Sequence, residues 1–186
     1  FKDIPKGGKP IPTPTVVEPE QKAEVRDVIF DNIQLPAVIQ AYHIPAQGTP
    51  DSYAIDMLNT LLSGGQSSRM YKALVDEQKK ALAVQAFPFS LEQPGLYITF
   101  GLTNMGVNID DLEKSMDAEI EKVQKELISE REFQKLMNQV ESNFVQQNSS
   151  VVGIAEQLAN YHVYFGDANL INAELERYKK VTREDI

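Results

Sequence analysis

The sequence predicts an α+β fold, an antiparallel sheet with helices packed on one face, preceded by a proline-rich arm. Three observations carry this reading. The apolar patterns run strand, strand, helix, helix, strand, strand and then helices only, an order that suits hairpin pairing rather than βαβ alternation. Residues 95–102 alternate with a period of two, whereas 109–127 repeat with a helical period. Five of the ten prolines lie within the first 19 residues.

Each element follows from local chemistry. Pro5, Pro10, Pro12, Pro14 and Pro19 remove backbone donors and favour extended polyproline geometry, so residues 1–21 are expected to be a semi-rigid arm. The domain is expected to occupy 22–186. Glu24 to Phe30 and Pro36 to Ile44 are rich in β-branched and aromatic residues and predict two strands. After the turn cluster at 45–50, Asp51 or Ser52 is expected to cap a helix with Ile55, Leu58, Leu61 and Leu62 on one face. Ser63-Gly64-Gly65 ends it, glycine suiting a left-handed cap. A second helix is expected from Ser67 or Ser68, burying Met70, Tyr71, Leu74 and Val75.

Ala81 to Phe89 and Gly95 to Leu102 predict a strand pair, joined by the turn residues Glu92-Gln-Pro-Gly95. From Asn108 to about Ile128, the residues Ile109, Leu112, Met116, Ile120, Val123 and Leu127 share a helical face, with Asp110 and Asp111 at the positive N-terminal end. Ser129-Glu-Arg-Glu132 is a capping box that opens the next helix. Further helices are expected over Val151 to Phe165, closed by Gly166, and over Asn169 to about Lys180. Thr182-Arg-Glu-Asp185 has the form of one more helix start, so the domain is expected to be truncated at its C-terminus.

Composition narrows the function. With 18 basic and 27 acidic residues the formal charge is 18 − 27 = −9, which disfavours a phosphate-backbone binder and hence nucleic acid. No apolar run approaches the ~20 residues of a membrane span. There is no cysteine, which removes thiolate nucleophiles and sulfur-ligated zinc. The two histidines, His43 and His162, lie 119 residues apart and neither sits in an H-x-x-E-H pattern, so no metal ligand set can be nominated. Ser63-Gly-Gly-Gln-Ser-Ser-Arg69 lacks the lysine of a phosphate loop and joins two helices, which makes it a cap and turn. Acidic pairs such as Asp110 and Asp111, or Glu119 and Glu121, fall on the polar face of an amphipathic helix and favour solubility over acid–base chemistry.

Between Lys80 and Lys114 there is no lysine or arginine. The hairpin in that interval carries Phe87, Phe89, Tyr97 and Phe100. Alternation assigns some of these to the core and leaves others free to form an apolar wall for an extended peptide.

Taken together, the motifs resemble a known family. Phe1-Lys-Asp-Ile-Pro-Lys-Gly7 with the proline-rich arm is similar to the linker between the halves of zinc peptidases of the insulinase/pitrilysin family (M16). Leu35-Pro-Ala-Val38 and Leu61-Leu-Ser-Gly-Gly-Gln-Ser-Ser-Arg-Met-Tyr-Lys-Ala-Leu-Val75 resemble its second-half signature, and Val181-Thr-Arg-Glu-Asp-Ile186 resembles a helix start of that half.

The resemblance implies the non-catalytic C-terminal half of a two-lobed zinc metalloendopeptidase. Zinc and catalysis would then belong to an N-terminal half, in the same polypeptide or in a partner subunit. This chain would need no cofactor of its own and would line a chamber for peptide substrate. Consistent with that role, Asp51 to Leu62 contains no His and no Glu. Second halves of the family place an arginine and a tyrosine near the central hairpin. Here Tyr97 is present without the arginine, and Tyr97, Phe87 and Phe89 are the residues nominated for substrate contact.

The resemblance also allows a dimer, and it favours the periplasm or cell envelope of a Gram-negative bacterium. One alternative is a structural or assembly protein of the same fold, like the core subunits of respiratory complexes, without peptidase activity. Another, independent of family, is a helical module whose acidic face binds a basic partner; strong salt dependence would mark it.

Overall fold

The computed structural model describes residues 21–186 together with Asp3, Pro5, Gly7, Gly8, Thr15 and Pro19. Most of the predicted arm over 1–21 therefore lies outside the described residues. The chain divides into two compact units, 1–32 and 33–186.

In the first unit the described residues form no helix or strand. This corrects the expected strand over Glu24 to Phe30. Its backbone instead makes local contacts: Val28 N donates to Asp27 Oδ1 and Asn32 N to Asp31 Oδ1. Val25, Val28, Ile29 and Phe30 are exposed. A β-branched run becomes a strand only beside a hydrogen-bonding neighbour, and propensity alone did not suffice.

The second unit is built on a three-stranded antiparallel sheet of order β1-β3-β2. Its strands are β1 (Ala37–Ile44), β2 (Ala81–Phe89) and β3 (Gly95–Thr103). The central strand pairs Ile39 with Phe100 and Ala41 with Ile98 on one side, and Phe87 with Ile98 and Phe89 with Leu96 on the other. A bulge at Ala81/Ala83 starts β2.

Helix α1 (Pro50–Ser63) packs against the sheet, chiefly on β2. Its cap is Thr49 rather than the expected Asp51 or Ser52: Thr49 Oγ1 accepts from Ser52 N, and Pro50 takes the first helical position, where its missing N–H costs nothing. At the far end Gly64 has φ −73°, and the positive φ falls one residue later, at Gly65. A π-helical segment, Tyr71–Glu77, follows and buries Ala73 and Leu74.

Then come α2 (Ile109–Lys125), α3 (Glu130–Gln147) and α4 (Val151–Phe165), which is closed by Gly166 at φ 73°. The single helix expected over 169–180 is replaced by a 3-10 turn at Ala168–Asn172 and a short α5 at Glu174–Tyr178. Asp167 and Asn169 hold the turn through local side-chain bonds to Asn169 N and Asn172 Nδ2, which compete with helical continuation.

Two cores flank α1. One lies between the sheet and α2 and contains Val38, Leu62, Met70, Leu74, Leu112 and Met116. The other joins Tyr53, Met57 and Leu61 to Ile128, Leu136 and Val181. Met57, Met70, Leu74, Leu112 and Met116 are fully buried. Helix α1 is thus apolar on two faces, as a central helix must be. A polar thread runs through the first core: Thr99 Oγ1 donates to Gln40 Oε1 (2.8 Å), and Gln40 Nε2 donates to Asp117 Oδ1 (2.7 Å).

Candidate functional site

Strand pairing sorts the hairpin side chains onto two faces. Partners in register share a face, because successive residues alternate. On β3 the residues Tyr97, Thr99, Gly101 and Thr103 point to the helical layer and are buried. Leu96, Ile98, Phe100 and Leu102 point the other way and stay half-buried.

Their neighbours complete an apolar surface. Ile39 flanks Phe100, Phe87 flanks Ile98, and Phe89 with His43 flanks Leu96. Ile39 is 70% exposed, Phe87 44% and Phe89 54%. Within this unit the described helices pack on the opposite face, against Val38, Val84 and Ala86. The centre of this surface comes from β3, through Leu96, Ile98, Phe100 and Leu102.

The three nominated residues therefore separate. Phe87 and Phe89 lie on the open face. Tyr97 is buried beneath the helices, its hydroxyl donating to Asn59 Oδ1 at 3.3 Å and its pKa pushed above the usual tyrosine range by burial. Of the two histidines, His43 is exposed on the open face and His162 is exposed in the last turn of α4.

Among the described residues no three His, Asp or Glu side chains are placed to hold an ion. Helix α1 offers Asp51 and Asp56 but no imidazole. No helix among the described residues is long and apolar enough to cross a membrane.

A feature that pattern reading missed lies on the helical side. Tyr53, Asp56, Tyr161, Glu174, Arg177 and Tyr178 form a connected polar group. Tyr178 Oη donates to Asp56 Oδ2 (2.9 Å), Arg177 Nη1 donates to Tyr53 Oη (2.8 Å), and Tyr53 Oη donates to Glu174 Oε2 (3.4 Å). The rings of Tyr53 and Tyr178 meet edge to face, 4.9 Å apart. Burial pushes the carboxyls of Asp56 and Glu174 above their ordinary values. The three bonded pairs are 121 to 124 positions apart, so no local motif announced the group.

The family comparison now has a structure to stand on. The model of the peptidase M16 inactive domain matches residues 1–140. The chain is 34% identical over 158 residues to the zinc protease PqqE of Helicobacter pylori, covering 83% of this chain and 35% of that protein. It therefore spans about a third of the length of this curated relative.

Among solved structures, a protease from Helicobacter pylori superposes with a TM-score of 0.77 at 24% identity, over 83% of this chain and 37% of that one. The inactive peptidase domain from Bordetella parapertussis superposes with a TM-score of 0.71 at 25% identity, over 81% of each chain. The α+β architecture expected from the sequence is the one these structures share. With a family model matched over most of its length, and a sheet and helices arranged as in the solved inactive domain, this chain belongs to the peptidase M16 inactive-domain family.

Proposed function

We propose that the chain is the non-catalytic half of a zinc metalloendopeptidase and supplies one wall of a peptide-binding chamber. The observation that carries this reading is the apolar sheet face formed by Ile39, Phe87, Phe89, Leu96, Ile98 and Phe100. Large apolar side chains left in water mark a surface for a partner or ligand, and alternate pockets on a sheet suit an extended peptide. In this reading Phe87 and Phe89 touch substrate, while Tyr97 is a core residue that holds α1 on the sheet.

Zinc and the water-activating base are assigned to a companion N-terminal half, in the same polypeptide or a partner subunit. No hydrolytic step is assigned to this chain. The parent protein is placed in the cell envelope of a Gram-negative bacterium, the setting that the family resemblance implies; fractionation of the native host tests it.

The decisive experiment is peptide capture by the complete two-half protein. Unstructured peptides rich in apolar residues should bind, and Phe87→Asp with Phe89→Asp should weaken binding about tenfold or more while the protein remains folded, as melting curves check. Equal capture by the double variant would overturn the reading. Failure of the intact protein to cleave or hold any peptide would favour the assembly-protein alternative.

A further inference from the structure

A second, separate cavity lies on the other side of the sheet, between α1, α3, α4 and α5. It encloses about 380 Å³, within the size range of small-molecule sites. Its walls are mostly amide and hydroxyl side chains, Asn59, Asn143 and Gln147 among them, joined by the hydroxyls of Tyr53, Tyr161 and Tyr178 and by an apolar patch that includes Phe144, Phe165 and Leu175.

Among the described residues, the charged ones on its lining are Asp56 and Glu174. Arg177 stands behind Tyr53, its guanidinium carbon 6.0 Å from the ring centre, and does not line the cavity. The guanidinium reaches Glu174 through the Tyr53 hydroxyl, whereas Asp56 is bonded to Tyr178. Asp56 uses Oδ2 to accept from Tyr178, and its Oδ1 has no hydrogen-bond partner among the described residues.

We propose that this cavity binds an alkylammonium group. Two partly buried carboxylates without a cation between them attract positive charge more strongly than they would in water, because the surroundings screen less. The tyrosine rings favour a cation through their negative faces, and the apolar wall accepts an alkyl stem. An anion would meet two like charges. A neutral sugar would leave the carboxylate pair uncompensated. The lysine side chain of a peptide and a free diamine share the required chemistry. The site does not depend on the peptide wall, which faces the opposite side of the sheet.

The test uses the two-half protein and calorimetric titration with 1,5-diaminopentane, Nα-acetyl-lysine amide, 1-pentanol and glucose, in 150 mM salt. At least one amine should bind at a single site, and pentanol and glucose should not. Preference for the diamine identifies a free amine, and preference for the lysine amide identifies a peptide side chain. Glu174→Gln and Asp56→Asn should each weaken binding about tenfold or more, whereas the exposed Asp110→Asn should leave it unchanged. Glu174→Gln serves if Asp56→Asn loosens the fold through Tyr178, and melting curves of both variants separate the two cases. Absence of amine binding by the unmodified protein overturns the proposal. So does binding that all three variants share, since it would belong to the acidic surface at large.

Discussion

Arg69 and Glu132, 63 positions apart, are joined by two parallel hydrogen bonds, Nε to Oε1 at 2.9 Å and Nη2 to Oε2 at 3.0 Å. Glu132 is also the third helical residue, which closes the Ser129 capping box, its Oε2 accepting from Ser129 N at 3.0 Å. One carboxylate therefore starts α3 and ties it to the turn after α1.

This pairing predicts acid sensitivity. The Arg69 guanidinium holds the Glu132 carboxyl down to about 2, from an ordinary 4.5. A depressed folded value stabilises above the unfolded value and is lost as protons are taken up, so the contribution is full above about pH 4.5 and fades toward pH 2. Arg69→Ala should cost about 1–2 kcal/mol at pH 7, a figure discounted for the partial exposure of the pair. It should also flatten the decline in stability between pH 4.5 and 2. Urea denaturation at several pH values measures both, and an unchanged slope in the variant would contradict the assignment.

Ser68 gives a prediction of opposite sign. It is 3% exposed, and its hydroxyl has no hydrogen-bond partner among the described residues. A buried, unpaired hydroxyl costs about 1–3 kcal/mol. Ser68→Ala should leave stability unchanged or raise it by up to about 1 kcal/mol. A clear loss in thermal denaturation would show that the hydroxyl is satisfied in solution.

Gly101 sets the distance between α2 and the central strand. A Cβ there would lie 2.6 Å from Met116 Sδ and 3.2 Å from Leu112 Cδ2. Gly101→Val should destabilise by about 1–3 kcal/mol through overpacking. Because the first obstacle is the sulfur of a flexible side chain, pairing Gly101→Ala with Met116→Ala should show coupling, the double variant losing less than the sum of the singles. Additive losses would place the strain elsewhere.

The helix-covered core and the open sheet face should respond differently to truncation. Leu62 is 1% exposed in the first core, and Leu62→Ala should cost about 2–5 kcal/mol. Phe87→Ser, at a side chain 44% exposed, should cost well under half of that. Chemical denaturation of both variants makes the comparison, and equal losses would mean that the open face is covered within the folded chain.

Much of this architecture was legible. The hairpin of β2 and β3, the long α2 and the Ser129–Glu132 box rest on local chemistry and were found where expected. What depended on distant partners was not. The alternation in β3 was visible, yet its apolar set, Leu96, Ile98, Phe100 and Leu102, faces away from the helices, while Tyr97, Thr99, Gly101 and Thr103 lie under them. Periodicity reports that a strand has two faces and is silent on which one a helix covers. For the same reason Tyr97 could not be separated from Phe87 and Phe89, and the Tyr53–Arg177–Glu174 group left no trace in the order of residues.

The order β1-β3-β2 also bears on how the chain reaches its native state. Strands β2 and β3 are joined by a short turn and can zip together quickly, whereas β1 must close a loop of at least 95 − 44 = 51 positions, from Ile44 to Gly95. Closing such a loop loses chain entropy before any ladder bond compensates. The hairpin is thus the template, and β1 arrives late. Kinetically, a weakened β2–β3 turn should slow refolding, whereas a weakened β1 should chiefly hasten unfolding.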